Sequence, residues 1–222
     1  MHRLTETVPP MPRPGGGELL VRALATRTTR AAVLFVDLRG YTALAEQLKP
    51  ARIVLLLNEL FGILAAAIDQ HRGRIYHMAG DGLMAGFGCD DRADCGVGDA
   101  LAAGNDMLRR FAPAAMRWRH ELSVDAGIGV GIHLGEVALG FIGPPGRQAA
   151  TMVGDTVNVA ARLCGRARAG EVLFSAAVAA ALGAAHMLQT PRPIVRLPQL
   201  ALRGRSAPLD IWCVPAVDRL TV

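Results

Sequence analysis

Lysine is almost missing from this chain. Of its 24 basic residues, only Lys49 is a lysine. The positive charge therefore sits on arginine, whose planar fork suits phosphate and carboxylate groups. Aromatic residues are scarce too, at 5%. The net charge is +5, yet the arginines form no stripe with stacking residues between them. That pattern suits a small polyanionic ligand and speaks against a nucleic-acid partner. Cys89, Cys95, Cys164 and Cys213 contain no CxxC pair and no Cys/His grouping with zinc spacing. They read as reduced thiols that fill core space. No signal peptide is visible, because Arg3 is followed by Pro9, Pro10, Pro12 and Pro14 instead of an apolar run. The most apolar stretch, Ile53 to Ile68, contains Asn58 and Glu59 and is short for a membrane span, so it reads as a core helix. No internal repeat is found. These absences lead to the expectation of a soluble, cytoplasmic protein.

What is present is enough for one sizeable core: 222 residues, 51% of them hydrophobic and 19% charged. Residues 1–30 read as a Pro/Gly-rich tail or linker, with Glu18 to Arg30 as a short helix or docking arm, and an upstream sensor or regulatory domain is possible. Residues 31–216 read as the domain and 217–222 as a C-terminal tail. The pattern predicts strands at 31–36, 73–79, 83–87, 124–133, 136–142, 171–174, 195–202 and 209–214. Leu134-Gly135 reads as a turn between two of them. Helices are predicted at 42–48, 50–71, 91–120, 156–166 and 175–182. Short helices alternating with hairpin-joined strands make an α+β fold with a largely antiparallel sheet.

Two aspartates stand out. Asp37 ends the apolar run Ala32-Val33-Leu34-Phe35-Val36 and leads into Leu38-Arg39-Gly40. Asp81 sits in Gly80-Asp81-Gly82 between two strand-like runs, the pattern of a hairpin turn. Hard cations take carboxylate oxygens, and two-metal phosphoryl transfer needs carboxylates that bridge both ions. The segment Leu38, Arg39, Gly40, Tyr41 and Thr42 opens a helix whose free backbone N–H groups can cradle phosphates. Asn158 and Arg162 are four apart and share a helix face. Asp155 reads as that helix's N-cap.

Three motifs occur in order: Phe35-Val36-Asp37-Leu38-Arg39-Gly40-Tyr41-Thr42, Gly80-Asp81-Gly82-Leu83-Met84-Ala85-Gly86-Phe87, and Val153-Gly154-Asp155-Thr156-Val157-Asn158 running on to Arg162-Leu163. Together they resemble the class III nucleotidyl cyclase catalytic domain, the adenylate and guanylate cyclase family. The resemblance covers Ala31 to Val214. It implies a ferredoxin-like βαββαβ core with a mainly antiparallel sheet, related to polymerase palms and extended by C-terminal strands and a helix. It implies a homodimer with the active site between subunits. The implied reaction converts a nucleoside triphosphate to a 3′,5′-cyclic monophosphate and pyrophosphate.

The family's roles carry over residue by residue. Asp37 and Asp81 would hold two Mg²⁺ or Mn²⁺ ions. Asn158 would orient the ribose and Arg162 would stabilise the transition state, both acting from the partner subunit. Arg203 or Arg205 would meet the terminal phosphates, and which of the two serves stays open. His77 and Thr151 stand at the purine-reading positions. Thr151 matches a variant found in bacterial adenylate cyclases, so ATP is favoured. His77 matches neither the adenylate nor the guanylate pattern: a neutral imidazole can donate to adenine N1 or accept from guanine N1–H, as its tautomer decides. The alternatives are a guanylate cyclase and a cyclase-like regulatory domain that binds nucleotide.

Overall fold

Alternation along β1 (Arg27–Arg39) sets the plan of the molecule. Its even-numbered side chains from Ala32 to Leu38 enter the main core, while Ala31, Val33 and Phe35 join a cluster on the other face, the side to which Asp37 and Arg39 also belong. The computed structural model describes residues 26–90, 95–188, 192–201 and 207–216. After β1 come α1 (Tyr41–Gln47), α2 (Pro50–Gln70), β2 (Arg74–Ala79), β3 (Gly82–Phe87), α3 (Val97–Leu122) and β4 (Gly127–Ile142). Then follow β5 (Ala149–Val153), α4 (Asp155–Arg166), β6 (Val172–Ser175), α5 (Ala176–Leu188), β7 (Val195–Leu200) and β8 (Leu209–Val214).

The strands form one sheet in the order β2-β3-β1-β4-β6-β8-β7, with β5 added to β4. Among the described residues only β4 and β6 pair in parallel. The expected α+β fold with a mainly antiparallel sheet is thus observed, and β1–α2–β2–β3–α3–β4 supplies the βαββαβ unit.

One face of the sheet is covered by α2 and α3. Leu56, Leu60, Leu64, Ala67 and Ile68 recur at helical spacing along α2 and are buried there. One face of α2 thus packs on the core, while Val54 and Leu55 are exposed. The helix, at 21 residues, is long and apolar enough to cross a membrane by length and composition, not short as expected. Opposite the buried face of α2, α3 buries Met107, Phe111 and Trp118. Phe111 meets Trp118 edge to face at 5.3 Å, and the Trp118 indole donates to Glu59 Oε2 at 3.1 Å. The polar Glu59 inside the apolar run thus has a buried donor to satisfy.

The other face is covered by α4, in a different way. The β4 residues facing it are Gly127, Gly129, Gly131, His133, Gly135 and Val137, while Ile128, Val130, Ile132 and Leu134 face the main core. A Cβ on Gly131 would lie 2.1 Å from the Cys164 backbone N and 2.6 Å from Ala160 O. A Cβ on Gly135 would lie 2.4 Å from Thr156 Oγ1. The helix backbone rests directly on the strand because glycine leaves it room.

Four local expectations need correction. Leu134-Gly135 is no turn: β4 runs unbroken for 16 residues, and Gly135 is small to admit Thr156, whose hydroxyl donates to Glu136 O at 2.6 Å. β1 begins at Arg27, paired with Leu139, so the end of the supposed arm is strand. Within the described residues α3 begins at Val97, and Gly96, inside the expected helix, takes φ 70°; Asp91, the expected start, lies outside the described residues. The cap of α4 is Gly154; Asp155 is its first helical residue.

Candidate active site

Asp37 is the first of the site residues to be fixed in space. It faces Gly82 on β3 and Gly129 on β4, at the end of the sheet where β1 leads into α1. A Cβ on Gly82 would lie 3.2 Å from Asp37 Oδ1, so glycine there gives the carboxylate its space. Asp81 immediately precedes Gly82, in a two-residue loop between Ala79 and Gly82. Gly80 takes φ 59° and Asp81 has no positive φ, the pattern of a type II′ turn with glycine first. The sheet therefore brings the two predicted metal carboxylates together.

Their mutual effect is visible in Asp81. Burial, and then the negative charge of Asp37, hold its carboxyl above its ordinary pKa. Two carboxylates at this proximity are what a divalent cation would relieve, so the donor set fits a hard ion. Mg²⁺ keeps waters and takes phosphate oxygens, so two carboxylates are a sufficient protein contribution. Among the described residues no cluster of three or more His, Cys, Asp or Glu is arranged for a metal.

A cavity of about 230 Å³ opens beside Asp37. It is lined by His77, Met84 and Gly82 from the β2–β3 hairpin and by Ala161, Cys164 and Gly165 from α4. His77 pairs with Met84, which puts it on the Asp37 side of the sheet. Cys164 was read as a core filler and is buried, yet it also lines this cavity. Burial pushes its thiol up to about 11, which disfavours the thiolate. All four cysteines are free thiols. A larger cavity of about 1120 Å³ lies between α3 and α5, and contains none of the predicted site residues.

Gly40 takes φ 89° and precedes α1, and a Cβ on it would lie 2.5 Å from Asp125 O. The first bond of α1 runs from Leu44 N to Gly40 O, which leaves the amides of Tyr41 and Thr42 ahead of the ladder. The Leu38 side chain is buried in the core. The Arg39 side chain turns back to Asp37 and to α4, a contact invisible in the sequence. Asn158 and Arg162 are exposed on the outer face of α4 and do not line the Asp37 cavity of their own chain. Thr151, half-buried on β5 opposite Gly140, is also absent from that lining. Arg203 and Arg205 lie outside the described residues. The glycine bed under α4 escaped the sequence reading, although glycine at every second position from Gly127 to Gly131 is a visible signal.

The adenylate and guanylate cyclase catalytic domain family matches residues 24–208. The chain belongs to that family. An adenylate cyclase of Anabaena cylindrica is 34% identical over 149 residues, 64% of this chain and 28% of the relative. The chain thus spans about a quarter of the length of the curated relatives it matches. The adenylyl cyclase CyaB from P. aeruginosa superposes with a TM-score of 0.79 at 27% identity, over 88% of this chain and 98% of that one. The guanylyl cyclase Cya2 superposes at 0.76, also at 27% identity, over 87% and 95%.

Proposed function

We propose that this domain converts ATP to 3′,5′-cyclic AMP and pyrophosphate at a site shared by two copies of the chain. The observation that carries this reading is the split of the site residues. Asp37, Asp81 and His77 gather at one end of the sheet, while Asn158 and Arg162 face outward from α4. Each chain then holds two half-sites, and a head-to-tail pair completes both.

The roles follow from chemistry. Asp37 and Asp81 hold two Mg²⁺ or Mn²⁺ ions, which when bound lower the pKa of the attacking 3′-hydroxyl and offset phosphate charge. The amides of Tyr41 and Thr42 receive the triphosphate at the start of α1. Asn158 of the second copy orients the ribose. Its Arg162 donates to the phosphoryl oxygens as negative charge builds at the α-phosphorus. His77, inside the cavity, reads the purine together with the second copy's Thr151. A neutral His77 with its N–H turned to adenine N1 favours ATP, and the opposite tautomer favours GTP. Identity is equal, at 27%, to an adenylyl and a guanylyl cyclase structure, so the preference for ATP rests on Thr151.

The test is direct. Purified protein is incubated with ATP or GTP and Mg²⁺ or Mn²⁺, and the cyclic product is identified by mass. Cyclic AMP as the main product supports the proposal. Cyclic GMP alone would reassign the substrate, and nucleotide binding without turnover would leave a regulatory domain.

A further inference from the structure

Arg39 is the last residue of β1, and its guanidinium reaches three acceptors at once. It donates to Asp37 Oδ2, to the Cys164 carbonyl, and through Nε to the Ala167 carbonyl at 3.0 Å. The last two acceptors lie at the C-terminal end of α4, where the helix dipole is negative; the Cys164 carbonyl also accepts from the Ala167 N–H at 3.0 Å. Gly129 clears the path: a Cβ there would lie 2.8 Å from Arg39 Nη2 and 2.9 Å from Ala167 O. The arginine side chain is only 24% exposed. A lysine carries the charge but not the fork needed to hold a carboxylate and two carbonyls together.

We propose that Arg39 is a positioning residue that competes with a divalent cation for Asp37 and ties the filling of that site to the end of α4. The inference rests on the reading of Asp37 and Asp81 as metal ligands. Arg39 supplies positive charge that Asp37 faces. A cation arriving at Asp37 repels the guanidinium, which then shifts its hydrogen bonding onto the Cys164 and Ala167 carbonyls. The C-terminal turn of α4 tightens. Asn158 and Arg162 ride on the same helix, so the state of one chain's carboxylates reaches the residues that helix presents outward.

The experiment uses nucleotide-free protein and Mn²⁺ as the probe. Free Mn²⁺ is followed by electron paramagnetic resonance, and amide hydrogen exchange is followed at 165–170 with and without the ion. Wild type, Arg39→Gln, Arg39→Lys and Asp37→Asn are compared. Arg39→Gln should bind Mn²⁺ about tenfold more tightly, since a nearby cation has gone. Arg39→Lys should bind like wild type but exchange faster at 165–170, with no response to Mn²⁺. In wild type Mn²⁺ should slow exchange there. Unchanged Mn²⁺ affinity in Arg39→Gln, or exchange in wild type that ignores Mn²⁺, overturns the proposal. If Arg39→Gln does not fold, the wild-type exchange result decides alone. Loss of Mn²⁺ binding in Asp37→Asn together with unchanged affinity in Arg39→Gln rejects this inference but keeps the metal reading. Wild-type binding by Asp37→Asn rejects both.

Discussion

The two faces of the sheet are built by opposite means. Against α2 and α3 the sheet offers large side chains: Leu34, Leu83, Phe87 and Ile132 interlock with Leu60, Leu64, Met107 and Trp118. Against α4 strand β4 offers glycines where the helix crosses it, and smaller clusters flank that crossing: Ala160 packs with Val33 and Val137, and Val159 and Leu163 with Leu173 and Ile211. Interlocked side chains give stability, because burial scales with apolar area. Close backbone contact at Gly131 gives position, because there no side chain separates the helix from the strand. Asp37, His77, Asn158 and Arg162, to which the proposed function assigns the chemistry, belong to the second face or to the helix that covers it. The comparison teaches that this domain anchors itself on one side and holds on the other most of the residues proposed to act on the nucleotide.

The largest effect that would sharpen this division is on turnover. Asp37→Asn or Asp81→Asn should lower kcat by about 1,000-fold or more, since cation-assisted charge stabilisation supplies several kcal/mol. Thermal unfolding should show the fold intact. Near-wild-type kcat in either variant removes the chemistry from that face.

Leu60→Ala should do the reverse. It empties a fully buried position on α2 and should cost about 2–5 kcal/mol, with Tm falling about 2–4 °C for each kcal/mol and kcat near wild type in the folded fraction. Gly131→Ala should cost about 1–3 kcal/mol by overpacking, and it should also depress kcat because α4 must move. If Gly131→Ala is as active as wild type, the seat of α4 is not what positions its residues.

His77→Lys should raise the ratio of kcat/KM for ATP over GTP by about tenfold, because a fixed donor suits adenine N1 and opposes guanine N1–H. An unchanged ratio makes His77 a bystander in the cavity.

The smallest effect concerns the strain between the two carboxylates. The Asp81 pKa is raised in the folded chain, chiefly by burial and then by Asp37. Between the unfolded and folded values the native state holds the extra proton, so stability falls as pH rises through that window and stays reduced above it. Without divalent ions, Asp81→Asn should therefore melt slightly above wild type at neutral pH. The difference should vanish below the unfolded value. A pH-independent difference in Tm would refute the account.

The order of elements and the pairing of Asp37 with Asp81 were legible from short-range patterns: an apolar run ending in Asp, and Gly-Asp-Gly between two strands. The βαββαβ arrangement also agrees with the motif reading. What stayed hidden depends on contacts between distant segments. Gly135 looks like a turn until Thr156, 21 residues later, is seen to need its space. Arg39 looks like one more member of a phosphate loop until Cys164 and Ala167 arrive beneath it. Local preference carries no information on such meetings, because the same glycine or arginine serves either purpose.

The alternation along β1 has a consequence for how the site tolerates change. Side-chain direction in a strand has only two values, so a slip of one residue between β1 and β4 would send Asp37 and Arg39 into the leucine core and Leu38 out to the cavity. Burying a carboxylate and a guanidinium among Leu56, Leu60 and Ile132 is so unfavourable that the misaligned state is not populated. The aliphatic residues of β1 thus act as an address for the aspartate between them. An insertion or deletion of a single residue between Arg27 and Asp37 would erase the active site without touching any residue in it, whereas an insertion of two would restore the facing and only displace the carboxylate along the strand.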